Sequence, residues 1–246
     1  MASSWLDFWN GQHRIYVNDR HAAVHYRKIA ADFIALIPKP DATVVDWGCG
    51  DAFSAADIAA HAGRLVLCDA AAATRDRLTA RFGTSANRID IVAPEDLKVR
   101  YASQVDLFVV NSVLQYLDDA ELDRLLADAR DCLSPQGSLI IADVIPTDDD
   151  VIGDIGNLLS VGWKNGFLVA SLKGLGAMFF SSYRRLRATI GLQRHDEATF
   201  LRRLTAAGFD AARFRPNIGF DQRRMAFRAT PHPTGAMPQN IETPEA

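Results

Sequence analysis

The residues best suited to chemistry lie in one short segment, Val44-Val-Asp46-Trp-Gly48-Cys-Gly50-Asp51-Ala52. Its two glycines let the backbone turn tightly and approach a ligand at the carboxyl edge of a sheet. The carboxylates of Asp46 and Asp51 would repel a pyrophosphate, but they would attract a ligand that carries sulfonium and ammonium groups. Phe53 also replaces the third glycine of a dinucleotide-binding loop. The segment predicts a site for a cationic cofactor; the alternative is an ordinary strand-to-helix turn capped by Asp51.

The elements around this loop alternate along the chain. Short β-branched runs are separated by amphipathic stretches, and the runs lie at 43–45, 65–67, 89–92, 107–110 and 139–141. The clearest stretch, 118–133, begins with a capping box of Asp118 and Glu121, and Ser134-Pro-Gln-Gly137 ends it. Continuous apolar strands that alternate with helices predict a parallel sheet covered on both faces, a three-layer α-β-α sandwich.

The remaining segments define the domain organisation. Residues 1–38, rich in aromatics, predict an N-terminal helical cap, and 39–230 predict one domain with a lid insertion at about 145–195. A helix at about 196–207 is closed by Gly208, and strands are expected near 212–214 and 225–227. The tail, 231–246, has the composition of a flexible segment.

Composition narrows the class of protein. The 246 residues are 48% hydrophobic, which excludes a disordered chain. Their formal charge of -3 excludes a protein that binds nucleic acid non-specifically through a basic excess. The three cysteines, Cys49, Cys68 and Cys132, match no zinc site and indicate buried thiols in a reducing compartment. No secretory signal and no apolar run of eighteen residues is present, so the expected location is the cytosol.

The glycine loop resembles motif I of the class I S-adenosylmethionine-dependent methyltransferases, whose pattern is V-L-D-x-G-x-G. In this family the acid that ends the second strand, here Asp69 in Leu67-Cys-Asp69-Ala70, takes both ribose hydroxyls, and an ionised carboxylate suits that role because it only accepts hydrogen bonds. Ala93-Pro-Glu95-Asp96-Leu97 is similar to the adenine-contacting loop. It departs from the family at Ala93, often Asp, and at Pro94, which has no N–H, so Glu95 or Asp96 is the expected substitute.

The fourth strand and its exit, 106–116, resemble motif IV, where the exit backbone receives the methionine ammonium; the matched position is Asn111. The resemblance implies S-adenosyl-L-methionine as cofactor, bound through Asp46, Gly48, Cys49, Gly50, Asp69, Ala70, Glu95, Asp96 and Asn111. It also implies a seven-stranded, mostly parallel sheet whose last strand is antiparallel, and direct displacement of the methyl group. The alternatives are a non-catalytic subunit with the methyltransferase fold and an NAD-dependent oxidoreductase.

The substrate is expected to be a small or lipid-like molecule. Amino-group methyltransferases of nucleic acids carry N/D-P-P-Y/F after strand four, whereas this chain has Asn111-Ser-Val-Leu114. The candidate catalytic residues are His195, which precedes the 196–207 helix, His25 and Asp143; for each the alternative is an ordinary surface or capping residue. His21 and His25 are four apart, as in some metal sites, but no third ligand suggests itself and no metal is expected.

The insertion is unlike the rest of the chain. From Ile155 to His195 there is no Asp or Glu but six Lys or Arg, interleaved with large apolar residues. Such an element can lie on an anionic membrane or enclose an amphiphilic, acidic substrate. The alternative is a lid whose apolar face packs on the sheet while its basic residues face water. The candidate substrate contacts are Trp163 and Arg184 here and Tyr16 in the N-terminal cap.

Overall fold

The computed structural model describes residues 19–83, 88–148 and 192–232. Seven strands form one sheet: β1 (Thr43–Trp47), β2 (Arg64–Cys68), β3 (Ile89–Val92), β4 (Val105–Asn111), β5 (Leu133–Val144), β6 (Phe209–Phe214) and β7 (Met225–Pro231). The helices are α1 (Asp19–Ile34), α2 (Ala55–Ala59), α3 (Ala72–Phe82), α4 (Pro94–Tyr101), α5 (Asp119–Cys132) and α6 (Glu197–Ala206), with a short 3₁₀ helix at Leu114–Tyr116.

The sheet order is β3-β2-β1-β4-β5-β7-β6. Strands β1 to β5 pair in parallel, while β7 runs antiparallel to both β5 and β6. This confirms the predicted seven-stranded, mostly parallel sheet with an antiparallel last strand. The strand order reverses between β1 and β4, and in an open α/β sheet such a switch point opens the crevice in which ligands bind.

Helices cover both faces of the sheet, as the continuous apolar strands predict. On one face α1, α2 and α3 bury side chains such as Phe33, Ile58 and Leu78 against the strands. On the other face α4, α5 and α6 bury a second cluster that includes Leu97 and Phe200. The fold is therefore the predicted three-layer sandwich, and both faces of the central strands are closed to water.

The capping box that starts α5 forms as predicted. Asp118 accepts a hydrogen bond from the Glu121 backbone N at 2.8 Å, and the Glu121 side chain accepts one from the Asp118 backbone N at 2.9 Å. The cap fixes where the chain leaves the β4 exit and enters the helix that supports it.

Replacing Asp118 with alanine is expected to lower the free energy of unfolding by about 1 kcal/mol, because the Glu121 backbone N loses its hydrogen-bond partner. In a chain of this size that corresponds to roughly 2–4 °C in Tm, measurable by calorimetry. Asp76→Ala, an exposed acid within α3, is the control and should leave Tm nearly unchanged. Equal Tm values for the two variants would show that the box contributes nothing.

Several predicted features lie outside the described residues. These are most of the insertion, 149–191, with Trp163 and Arg184, the N-terminal residues 1–18 with Tyr16, and the tail from residue 233. Within 19–83, 88–148 and 192–232, no helix is long and apolar enough to cross a membrane.

Candidate functional site

The glycine loop turns at the carboxyl end of β1. Gly48 and Gly50 have φ of +72° and +55°, in the left-handed region that favours glycine. The Gly48 and Cys49 N–H groups donate to the Cys68 carbonyl at 2.8 and 3.2 Å, which ties the loop to the end of β2. A Cβ on Gly48 would lie 2.5 Å from Val113, whereas a Cβ on Gly50 would meet nothing within 4 Å. The loop therefore packs on one side and is open on the other.

Asp69 bridges the loop to the chain that follows β2. Its carboxylate oxygens accept from the Gly50 N at 3.0 Å and from the Ala71 N at 2.9 Å. Arg75 donates to the Asp69 and Ala70 carbonyls at 2.8 Å each, which fixes the backbone of this turn. Each carboxylate oxygen bonded in this way keeps a second lone pair, so Asp69 can still accept two hydrogen bonds from a ligand.

Asp46 is a second partly buried acid, close to the first. It is the last but one residue of β1 and lies on the same sheet face as Asn111 of β4, since Asp46 is in register with Val109 and Asn111 lies two residues further. Burial, and then the charge of Asp69, raise the pKa of Asp46 to about 7. Burial also raises the pKa of Asp69, although its two backbone hydrogen bonds oppose the shift. Ionising both acids is costly because they are poorly solvated and lie close together. A cationic ligand would offset that cost, so the pair is suited to bind one.

The raised pKa of Asp46 predicts a pH-dependent affinity for a cationic ligand. Below pH 7 Asp46 carries a proton and attracts no cation; as the pH rises through 7 it ionises, so affinity should rise and then level off. The stability of the ligand-free protein depends on pH in the opposite direction. The pKa of Asp46 in the folded protein exceeds the ordinary value of 3.8, so its ionisation destabilises the fold. Stability therefore falls as the pH rises from about 4 to 7.

Calorimetric titration with S-adenosylmethionine between pH 6 and 7.5 measures the first effect, since the sulfonium has a fixed charge and most of the amino groups stay protonated there. We expect about a tenfold gain in wild type and little change in Asp46→Asn. A flat wild-type profile would contradict the assignment of Asp46 as the group facing the cation.

Further predicted residues lie at the same edge of the sheet. Asn111 ends β4, and its buried Oδ1 has no hydrogen-bond partner among the described residues; neither has the buried Nε1 of Trp47, which ends β1. Glu95 and Asp96 are exposed in the first turn of α4, directly after β3. The ends of β1 to β4 thus bring the predicted cofactor residues to one edge.

The three candidate catalytic residues lie on different segments of the chain. Asp143 lies at the end of β5, and His195 lies just beyond it, with its backbone N donating to the Ile145 carbonyl at 2.9 Å. The His195 ring lies 5.0 Å from the ring of Phe200, and its pKa is lowered by burial and by Arg203, which keeps the ring neutral at pH 7. His25 lies on α1, 6.4 Å from the ring of Phe220.

The hydrogen-bond partners of Asp143 are side chains that the sequence did not predict. Ser112 donates to the Asp143 carboxylate at 2.7 Å, and the Asp143 N donates to the Asn217 Oδ1 at 2.9 Å. The Arg224 Nε lies 4.0 Å from the other Asp143 oxygen. Asn217 and Arg224 come from the β6–β7 loop, more than seventy residues away, and no local motif marks them.

Comparison with known proteins agrees with this geometry. Residues 44–137 match the sequence profile of a methyltransferase domain. No curated protein sequence matches the chain. Similar solved structures include DhpI in complex with S-adenosylhomocysteine, at 14% identity and a TM-score of 0.57, covering 93% of this chain and 95% of that one.

Two further similar structures also contain S-adenosylhomocysteine. One is magnesium protoporphyrin IX methyltransferase from Synechocystis PCC 6803, at 16% identity and a TM-score of 0.53, covering 91% of this chain and 90% of that one. The other is the Burkholderia thailandensis 1,6-didemethyltoxoflavin-N1-methyltransferase, at 18% identity and a TM-score of 0.51, covering 85% and 78%.

The matched segment, 44–137, contains the glycine loop, Asp69 and the β4 exit. Residues 44–137 therefore carry a methyltransferase domain, and the sheet around them has the fold of structures solved with S-adenosylhomocysteine, as the resemblance to the class I S-adenosylmethionine-dependent methyltransferases predicted.

Proposed function

We propose that the enzyme transfers the methyl group of S-adenosylmethionine to a small-molecule acceptor, with the donor bound across the carboxyl ends of β1 and β4. One observation carries this placement: two partly buried acids with raised pKa values, Asp46 and Asp69, flank a glycine loop whose Gly50 faces open space at the switch point of the sheet. Acids and an open glycine together suit a cationic nucleoside and disfavour a pyrophosphate.

The residues at this edge fit the donor group by group. Asp69 would accept from the two ribose hydroxyls, because its carboxylate has spare lone pairs beyond the Gly50 and Ala71 N–H groups. Asp46 and the Asn111 Oδ1 would receive the ammonium group, and the donor would thereby provide the partner that this buried oxygen lacks within the described part of the chain.

The remaining contacts are to the backbone and to the adenine. Cys49 and Ala70 belong to the two turns that are joined by the hydrogen bond from the Gly50 N to Asp69, so their main chain would border the nucleoside. Glu95 and Asp96, at the exposed start of α4, would lie on the adenine side, beyond β3.

The donor supplies an electrophilic methyl carbon with a sulfonium leaving group, so the protein need not activate it. The chain would contribute to catalysis by aligning the two reactants. The loop at Gly48–Gly50 and the Asp69 carboxylate would hold the nucleoside against the sheet, and the ends of β4 and β5 would face the acceptor. A base is required only when the acceptor atom still holds a proton at neutral pH.

Three observations support a small molecule as the methyl acceptor. Relatives of the same fold act, by their names, on 1,6-didemethyltoxoflavin and on magnesium protoporphyrin IX, which are small molecules. The β4 exit lacks the N/D-P-P-Y/F pattern, which argues against nucleic-acid bases. The basic, apolar composition of 155–195 supports an acceptor with an apolar body, including lipid-like ones.

The test is turnover with S-adenosylmethionine that carries a trideuterated methyl group. The enzyme is incubated with polar and lipid fractions of a cell metabolite extract, and mass spectrometry identifies any compound that gains the labelled methyl. We expect one small-molecule product that requires active enzyme. Donor binding without any labelled product would instead favour a non-catalytic subunit, and retention of NAD would favour the oxidoreductase.

A further inference from the structure

Two residues with unusual backbones lie at the carboxyl ends of β4 and β5 and contact each other. Ser112 and Asp143 have φ of +61° and +59°, in the left-handed region that non-glycine residues rarely adopt. The Ser112 N donates to the Ala142 carbonyl at 3.2 Å, and the Ser112 hydroxyl donates to the Asp143 carboxylate at 2.7 Å. Strained residues of this kind persist only where their surroundings hold them, and they cluster at functional sites.

The surroundings hold both residues firmly. Gln115 donates its Nε2 to the Ser112 carbonyl at 2.8 Å. Asn217, which is only 3% exposed, accepts from the Asp143 N, and its own side chain donates to the Asp221 carbonyl at 2.9 Å. These buried polar groups hold two backbone turns in place. The position of Asp143 is therefore fixed by Ser112 on the β4 side and by Asn217 on the β6–β7 side.

Asp143 is the accessible end of this network. Its side chain is 30% exposed, whereas the neighbouring Arg224 side chain is 10% exposed. Arg224 lies 4.0 Å from one Asp143 oxygen and 3.6 Å from Asp221, and Arg223 donates to the Asp221 carboxylate at 2.6 Å, so the two acids and two arginines carry no net charge. Such a site favours a neutral acceptor.

The sheet order places this pair on the acceptor side of the donor. Asp69 follows β2 and would hold the ribose there, and the donor crosses the switch point from β1 to β4. The reacting end then faces away from β2, toward the end of β4 and the next strand, β5. Ser112 and Asp143 are the residues that follow Asn111 and Ala142 at these two strand ends.

We propose that Asp143 is the catalytic base for a neutral hydroxyl acceptor, with Ser112 and Arg224 as its positioning residues. This inference rests on the proposed function and names the acceptor class for it. As the acceptor oxygen forms its bond to the methyl carbon, the sulfur–methyl bond breaks and its electron pair stays on sulfur. The hydroxyl proton passes to the Asp143 carboxylate, and the product is a methyl ether.

Turnover of Asp143→Asn with the labelled donor and the metabolite extract tests the proposal. We expect labelled product to fall at least 100-fold at pH 7, the scale of a lost general base, with donor affinity within twofold of wild type. The residual rate should rise about tenfold per pH unit, because the acceptor must then lose its proton to water. Asp143→Glu should recover part of the rate, and a merely structural role predicts neither the pH slope nor the rescue.

The pH profile must be separated from other titrating groups nearby. Groups on adjacent elements are Arg224, Asp221, His195, His25 and Asp32. Asp57→Asn, an exposed acid on α2, is the matched control and should keep the wild-type profile. If Asp143→Asn does not fold, Ser112→Ala replaces it, with an expected loss of about tenfold in turnover, donor affinity within twofold of wild type and no steeper pH slope, because the Asp143 carboxylate remains.

The outcomes are distinct. Wild-type turnover by Asp143→Asn, or labelled methyl on carbon, on sulfur, on an amine or as an ester, overturns the base assignment while the proposed function stands. Donor binding with no labelled product from wild type overturns the proposed function, and the base assignment with it.

Discussion

Asp69→Ala is expected to weaken S-adenosylmethionine binding by about 1.5–3 kcal/mol, roughly 10- to 150-fold, the scale of hydrogen bonds to a charged acceptor. The loss has two physical sources. The ribose hydroxyls lose their acceptor, and the Gly50 and Ala71 N–H groups lose the carboxylate that holds the two turns together. Isothermal calorimetry at pH 7.5 measures the affinity directly.

Two variants separate these sources. Asp69→Asn keeps one carbonyl oxygen and the shape of the side chain, so it should lose less affinity than Asp69→Ala. Asp57→Ala, an exposed acid on α2, should bind like wild type. An unchanged affinity in a folded Asp69→Ala protein would place the ribose elsewhere and would remove the main support for the site.

The second large effect is expected at Gly50. A Cβ there enters the open side of the loop, since no protein atom lies within 4 Å of it. Gly50→Ala should therefore fold, with about 1 kcal/mol lost to the left-handed backbone at φ +55°. The added methyl occupies space that the donor needs, so we expect at least a tenfold loss of donor affinity by calorimetry, or about 1.4 kcal/mol.

Two other glycines show whether backbone strain explains that loss. Gly219 has φ +91° in the β6–β7 loop and an almost equally open Cβ position, so Gly219→Ala carries the strain without touching the donor. Gly48→Ala should instead lose about 2 kcal/mol or more of stability, because its Cβ would lie 2.5 Å from Val113. If Gly219→Ala lost donor affinity as Gly50→Ala does, strain alone would account for the effect.

The elements of the fold were predictable because their patterns are local. Each apolar run of the sequence forms a strand, since a strand buried on both faces requires continuous apolar residues. The Asp118 capping box and the Gly48–Gly50 turn were also predictable, because each depends on residues within a few positions of each other. The antiparallel last strand came from the family resemblance.

The acceptor side could not be read in the same way. Asp143 is a weak candidate in sequence, because an Asp at a strand end is commonly a cap. The evidence for a functional role of Asp143 is its contacts with Ser112 and Asn217, which lie 31 and 74 positions away. It also includes the left-handed backbones of Ser112 and Asp143, which their residue types do not predict. Only the packing of β4, β5 and the β6–β7 loop brings these groups together.

His195 shows the opposite case. Its position before α6 made it a candidate base, and the structure places it beyond β5 with a neutral ring against Phe200. The backbone bond to Ile145 explains why a histidine there is held in place, and it gives no reason to prefer this ring over the Asp143 carboxylate as the base.

The most direct test of the account is a crystal structure of the enzyme with S-adenosylhomocysteine. We expect the ribose hydroxyls to contact Asp69, the amino group to lie near Asp46 and Asn111, and the sulfur to be directed toward the ends of β4 and β5, where Asp143 lies. A ligand bound away from the Gly48–Gly50 loop, or a sulfur directed toward β2 and β3, would contradict this placement.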